Sequence, residues 1–103
     1  METPHKFDMR PDPDGVIWLS GEVDMADADS FLEQALGDLD GQQAAVLDLS
    51  ALTFLDSSGI RALLRLAKVR TEGVVLRNPQ QNVRRVLDIA GVDAMGVRMD
   101  PPS

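Results

Sequence analysis

Residues 44–66, AAVLDLSALTFLDSSGIRALLRL, pass from an apolar, strand-like run into a helical pattern across Asp56, Ser57, Ser58 and Gly59. From Ala44 to Ser50 the run is mostly apolar on both faces, as a strand reads when both sides of its sheet are covered. From about Ser57 to Arg70, Ile60, Leu63, Leu64 and Ala67 recur at helical spacing, with Leu66 near the edge of the stripe. A covered strand feeding directly into an amphipathic helix points to strand–helix–strand units, parallel pairing and right-handed crossovers.

The same reading extends along the chain. A weakly patterned strand at about His5 to Arg10 precedes the turn composition PDPDG, and VIWLS, Val16 to Ser20, is a stronger strand able to pair with it as an antiparallel hairpin. Asp24 or Asp27 caps a first helix whose apolar positions are Met25, Ala28, Phe31, Leu32, Ala35 and Leu36. Acidic residues crowd its first turns, where the helix dipole favours them. After the second helix come a strand at Val74 to Asn78 and a third helix at about Gln80 to Ala90. That helix buries Val83, Val86, Leu87 and Ala90 and ends at Gly91, and GVRM follows as a short last strand. The expected class is α/β, in the order β-β-α-β-α-β-α-β, with the hairpin making the sheet mixed.

The chain has 103 residues, 44% of them apolar, which suits one domain with one core over residues 1–103. The ends, about 1–4 and 100–103, read as loose, since MDPPS holds adjacent prolines. No window approaches the ~20 apolar residues of a membrane span, and METPHKFDMR has no signal-like apolar region. Without cysteines there are neither disulfides nor thiolate metal ligands. A cytoplasmic location fits these features, with no direct membrane insertion. The net charge of -7 argues against nucleic acid as a partner. Its distribution is uneven: Pro11 to Ile60 holds eleven acidic residues and no Lys or Arg, whereas Arg61 onward holds eight basic and four acidic residues.

Sites in small α/β proteins gather at the carboxyl ends of parallel strands, where Asp56, Ser57 and Ser58 fall. The backbone N–H groups of the helix start there need acceptors, and Asp56 or Ser57 is best placed to cap them. One cap does not need three polar side chains. A phosphate on one of the serines would bring about -1.5 to -2 charges to the favourable end of the helix dipole and confront any docked surface with a dianion. The residues alone do not choose between the serines. Gly59 relieves crowding and lets another surface approach closely. Enzyme chemistry finds little support. The only histidine is His5, near a terminus, and no phosphate-binding glycine loop occurs. Asp24 and Asp27 read as capping and surface charge rather than a Mg²⁺ site, and Trp18 as partly core or an edge contact.

Three stretches, LSGEVDMADADSFLEQAL, AVLDLSALTFLDSSGIRALLRL and VRRVLDIAGVD, give the chain a resemblance to the STAS domain family of bacterial anti-sigma factor antagonists, over roughly Phe7 to Met99. The resemblance implies a mixed sheet with helices mainly on one side. It also implies phosphorylation at Ser57, the serine directly after the motif aspartate. An anti-sigma factor with serine-kinase activity would do this and a PP2C-like phosphatase would reverse it. The unphosphorylated form would bind the anti-sigma factor and free the sigma factor. Asp24 matches a partner-binding position, and Asp56, Ser57, Ser58, Gly59 and Arg61 belong to the motif and its docking surface. No catalysis and no cofactor are expected, since ATP would belong to the partner. STAS-like proteins also serve as cytoplasmic accessory subunits of ABC-type membrane transporters, including lipid transporters, which is the alternative.

Overall fold

The computed structural model describes residues 6–38, 45–70 and 72–100. His5, Ala44, the expected loose end at 1–4 and, of the one expected at 100–103, residues 101–103 lie outside them; Asp100 is described and ends the last strand. Strand β1 (Phe7–Pro11) turns back through Asp12, whose backbone and side-chain oxygens accept from Gly15, Asp14 and Val16, into β2 (Val16–Val23). Helix α1 (Ala28–Asp38), β3 (Ala45–Leu55), α2 (Ser57–Val69), β4 (Val74–Arg77), α3 (Gln81–Ala90) and β5 (Val97–Asp100) follow, with a 3-10 turn at Val92–Met95 before the last strand. The element order is the expected one. The sheet runs β1-β2-β3-β4-β5, with β1 antiparallel to β2 and every other pair parallel.

The helices lie on one side of the sheet. On that side Ile17, Leu47, Leu76 and Met99 form one cross-strand row. Phe31 and Ala35 of α1, Leu63 and Leu66 of α2, and Val83 and Leu87 of α3 join the same buried cluster. Phe31 meets Phe7 edge to face, with ring centroids 6.2 Å apart. Each fully buried large side chain contributes about 1.5–3 kcal/mol. Leu66, expected near an edge, is wholly buried, because α2 lies between α1 and the sheet on one flank and the Val92–Met95 turn on the other. Val86 is half-buried and Ala90 is exposed at the α3 end, where Gly91 forms the expected cap.

The opposite face carries the row Arg10, Trp18, Asp48, Arg77 and Asp100. Asp48 is buried there. It accepts from the Ser50 backbone at 2.9 Å, the Ser50 hydroxyl at 2.6 Å, Asn78 at 3.2 Å and Arg77 at 3.3 Å. The Arg77 guanidinium also lies 5.6 Å from the Trp18 ring centroid, and the indole N–H donates to Asp12 at 2.8 Å. Burial pushes the Asp48 carboxyl up, but the Ser50 and Asn78 hydrogen bonds and the Arg77 charge together hold it below the usual carboxylate range.

Strand β3 continues five residues past the expected Ser50. Two register shifts against β2 explain this. Trp18 pairs with Asp48 but Ser20 with Ala51, and Gly21 pairs with Leu52 but Glu22 with Phe54, so β3 takes up an extra residue at each. Its pairing with β4 stops at Asp48, and the remaining edge is covered by side-chain amides: Gln80 donates to the Ser50 carbonyl and Asn82 to that of Thr53. At the first shift's neighbour, Gly21 (φ +88°) packs so tightly on the Lys6 carbonyl that a Cβ would lie 2.1 Å from it.

Candidate functional site

The overhanging end of β3 delivers the chain to α2 beside the end of β2. Asp56, in extended conformation, caps α2: one carboxylate oxygen accepts from the backbone N–H of Ser58 at 2.9 Å and of Gly59 at 3.1 Å. The other accepts from the Met25 N–H at 3.1 Å. Asp56 therefore fastens the β2–α1 loop to the start of α2, and the choice between Asp56 and Ser57 as cap falls to Asp56. Ser57, at the first helical position, is exposed, and its hydroxyl has no hydrogen-bond partner among the described residues. Ser58 is half-buried and faces a hollow between α1 and α2. The two serines are thus distinguished by exposure.

Gly59 is buried, and the close approach it permits is internal. A Cβ there would come within 2.4 Å of Leu55 Cδ1 and 3.1 Å of the Val23 carbonyl. It seats α2 on the ends of β2 and β3. Arg61, one turn beyond Ser57, is exposed and borders the same hollow as Ser58.

Asp24 closes β2. One of its oxygens accepts from the Ala26 N–H at 3.0 Å and the other from the Lys6 ammonium, while its backbone carbonyl accepts from Asp27 and Ala28. The Lys6 contact holds the Asp24 carboxyl below the usual carboxylate range, and Asp24 in turn raises Lys6. Asp24 thus makes a turn rather than a helix cap, and α1 starts only at Ala28. Met25, expected in the buried stripe of α1, stands 79% exposed beside the site for this reason, and Leu36 is 38% exposed on the outer side of the same helix. Asp27, expected as surface charge, is buried, 4.0 Å from Lys6.

Asp24, Asp56, Ser57, Ser58, Gly59 and Arg61 thus gather at the carboxyl ends of β2 and β3. Two residues of this end were not singled out in the sequence: Lys6, which holds Asp24, and Phe54, 43% exposed two residues before the cap; Met25 was read there only as a buried helix position. Alternation along β3 would have marked Phe54 as inward or outward only with the register shifts known. Lys6 carried no local signal, because its contact spans eighteen residues. Among the described residues no three His, Cys, Asp or Glu side chains gather where they could hold a metal ion. No helix among them is long and apolar enough to cross a membrane.

A mixed sheet with helices on one side, in the order β-β-α-β-α-β-α-β, defines a STAS-like architecture, here with an aspartate-capped, serine-bearing helix start at the sheet's edge. A family model described as "Mlab, STAS domain" matches residues 8–98, and the chain belongs to that STAS-domain family. The fold resembles the anti-sigma factor antagonist SpoIIAA in its unphosphorylated form, with a TM-score of 0.70, 19% identity, and coverage of 90% of this chain and 86% of that one. It also resembles an anti-sigma factor antagonist from Mycobacterium paratuberculosis, with a TM-score of 0.66, 28% identity, and coverage of 95% and 90%. No curated protein matches the chain.

Proposed function

We propose that this chain is an anti-sigma factor antagonist that works by partner switching. Unphosphorylated, it binds an anti-sigma factor with serine-kinase activity and so releases a sigma factor. Phosphorylation at Ser57 ends the binding, and a PP2C-like phosphatase restores it. The observation that carries this reading is the exposed hydroxyl of Ser57, which has no hydrogen-bond partner among the described residues. The capping work is done by Asp56, so Ser57 serves no structural need that phosphate would disrupt. A phosphate there would sit at the positive end of α2 without disturbing the core, and would act on whatever surface is docked. Two solved structures similar in fold are of anti-sigma factor antagonists, which supports the same assignment. Asp24, Asp56, Ser58, Gly59 and Arg61 frame the docking end, with Asp56 and Gly59 acting through the position they give to α2.

The test is a pull-down with wild type, Ser57→Ala and Ser57→Asp. One partner retained by Ser57→Ala and lost by Ser57→Asp is expected, together with phosphate on Ser57 by mass spectrometry after incubation with that partner and ATP. Equal capture by all three forms sinks the switch. Co-purification of a transporter's ATP-binding subunit regardless of Ser57 would assign the chain to a transporter instead.

A further inference from the structure

Helix α2 carries Arg61, Arg65 and Lys68 at spacings of four and three residues, so the three cations line one side of it. All three are exposed, and none has an ion-pair partner among the described residues. The row separates two hollows. The one toward α1 is reached by Met25, and the other, of about 430 Å³, toward the Val92–Met95 turn, is lined by Leu64 and by Met95, itself 55% exposed. A positive strip thus runs between a polar hollow, which also holds Asp29 and Ser58, and an apolar one at Leu64 and Met95, in a chain whose net charge is -7.

We infer that this strip receives an acidic segment of the protein that docks at the Ser57 end. An apolar side chain of the segment enters the hollow between Leu64 and Met95, and its carboxylates lie along Arg61, Arg65 and Lys68. The inference rests on the partner-switching reading and adds to it the chemistry of the partner. Seven residues of helix span about 10 Å, close to the Debye length at physiological salt. At contact the strip therefore acts over its own width while the acidic remainder of the chain is screened. That favours a narrow acidic segment over a broad anionic surface or a second, equally acidic copy. The strip also explains how a phosphate would act. Ser57 lies one turn ahead of Arg61, and about -1.5 to -2 charges at the head of a row of three cations offset most of it.

The experiment uses the partner that wild type captures and Ser57→Asp releases, purified and probed by stopped-flow association at low and high salt. Arg65→Glu/Lys68→Glu leaves Ser57 and its surroundings in place. It is expected to slow association roughly tenfold or more and to flatten the salt dependence. Arg65→Lys is expected to retain the wild-type rate within about twofold. Circular dichroism reports whether the double variant is folded, and Arg65→Gln/Lys68→Gln, expected at an intermediate rate, serves if it is not. Unchanged association and salt slope in the charge variants, with Ser57→Asp still releasing the partner, overturns the acidic-segment inference alone. Failure to capture any Ser57-sensitive partner overturns both readings. Two further results also overturn the inference. One is a dimer by sedimentation that the double variant dissolves, which gives the strip to a second copy. The other is co-sedimentation with phosphatidylserine-containing but not pure phosphatidylcholine vesicles, lost in the double variant, which gives it to a membrane.

Discussion

The two faces of this molecule use their charges in opposite ways. On the open sheet face, Arg77 is paired with Asp48 and stacked on Trp18, Arg10 is paired with Asp8, and the Trp18 N–H is bound to Asp12. These groups satisfy one another on a face that carries none of the described helices. Along α2, three cations and the Ser57 hydroxyl have no partner within the described chain. A charge answered inside the fold belongs to architecture, whereas a row left unanswered beside an apolar recess is available to another molecule. Substitutions on the first face should therefore change stability and spare binding, and those on the second should do the reverse.

Asp48→Ala offers the sharpest break. It strands the Ser50 backbone N–H and leaves Arg77 without its counter-ion, for an expected loss of about 3 kcal/mol in urea unfolding. Asp56→Ala comes next, at about 1–2 kcal/mol, because the α2 cap and the tie to Met25 are lost together, while Asp56→Asn should keep most of the stability. The two are separable by function. Asp56→Ala should also weaken partner capture by freeing the loop that carries Asp24, whereas folded Asp48→Ala should capture normally.

Acid tests the same division. The folded-state pKa of Asp48 lies below its unfolded value of about 3.9. Its contribution is therefore present above that value and is lost as pH falls through the folded pKa. The urea midpoint of wild type should drop as pH falls below about 4. That of Asp48→Asn should start lower and fall less. Equal slopes would show that the open-face network does not carry the acid sensitivity. The smallest effect is expected on α2, where Ser57→Ala and Arg65→Glu/Lys68→Glu should each shift unfolding by less than about 0.5 kcal/mol. A larger loss there would show that the strip has a structural task.

Much of the fold could be read from periodicity. Val83 and Leu87, Leu63 and Ala67, and Phe31 and Ala35 are buried where helical spacing put them. The far half of β3 could not be read in this way. Leu49, Leu52 and Leu55 are its buried residues, three apart, because each register shift inserts one residue into an alternation of two. That spacing imitates a helix or a loop rather than a strand. Met25 misled for the converse reason, since it fits the apolar spacing of α1 but precedes the helix by one turn, held out by the hydrogen bonds of Asp24. At the site, chemistry alone left Asp56 and Ser57 tied as caps and the two serines equivalent. Backbone geometry separated them, and no side-chain inventory contains it.

The overhang of β3 has a consequence for how such a domain tolerates insertions and deletions. Beyond Asp48 the strand is paired on one side only, with side-chain amides on the other. Its length there can change without breaking a ladder to β4. One residue removed between Ser50 and Phe54 would withdraw Ser57 by a strand step of about 3.3 Å and carry the start of α2 with it, leaving Asp24 in place. The distance between the hydroxyl and the β2–α1 loop is thus set by a residue count in a stretch that owes nothing to the β4 ladder, so the changes tolerated there are those that keep its pairing with β2 and the burial of Leu52 and Leu55.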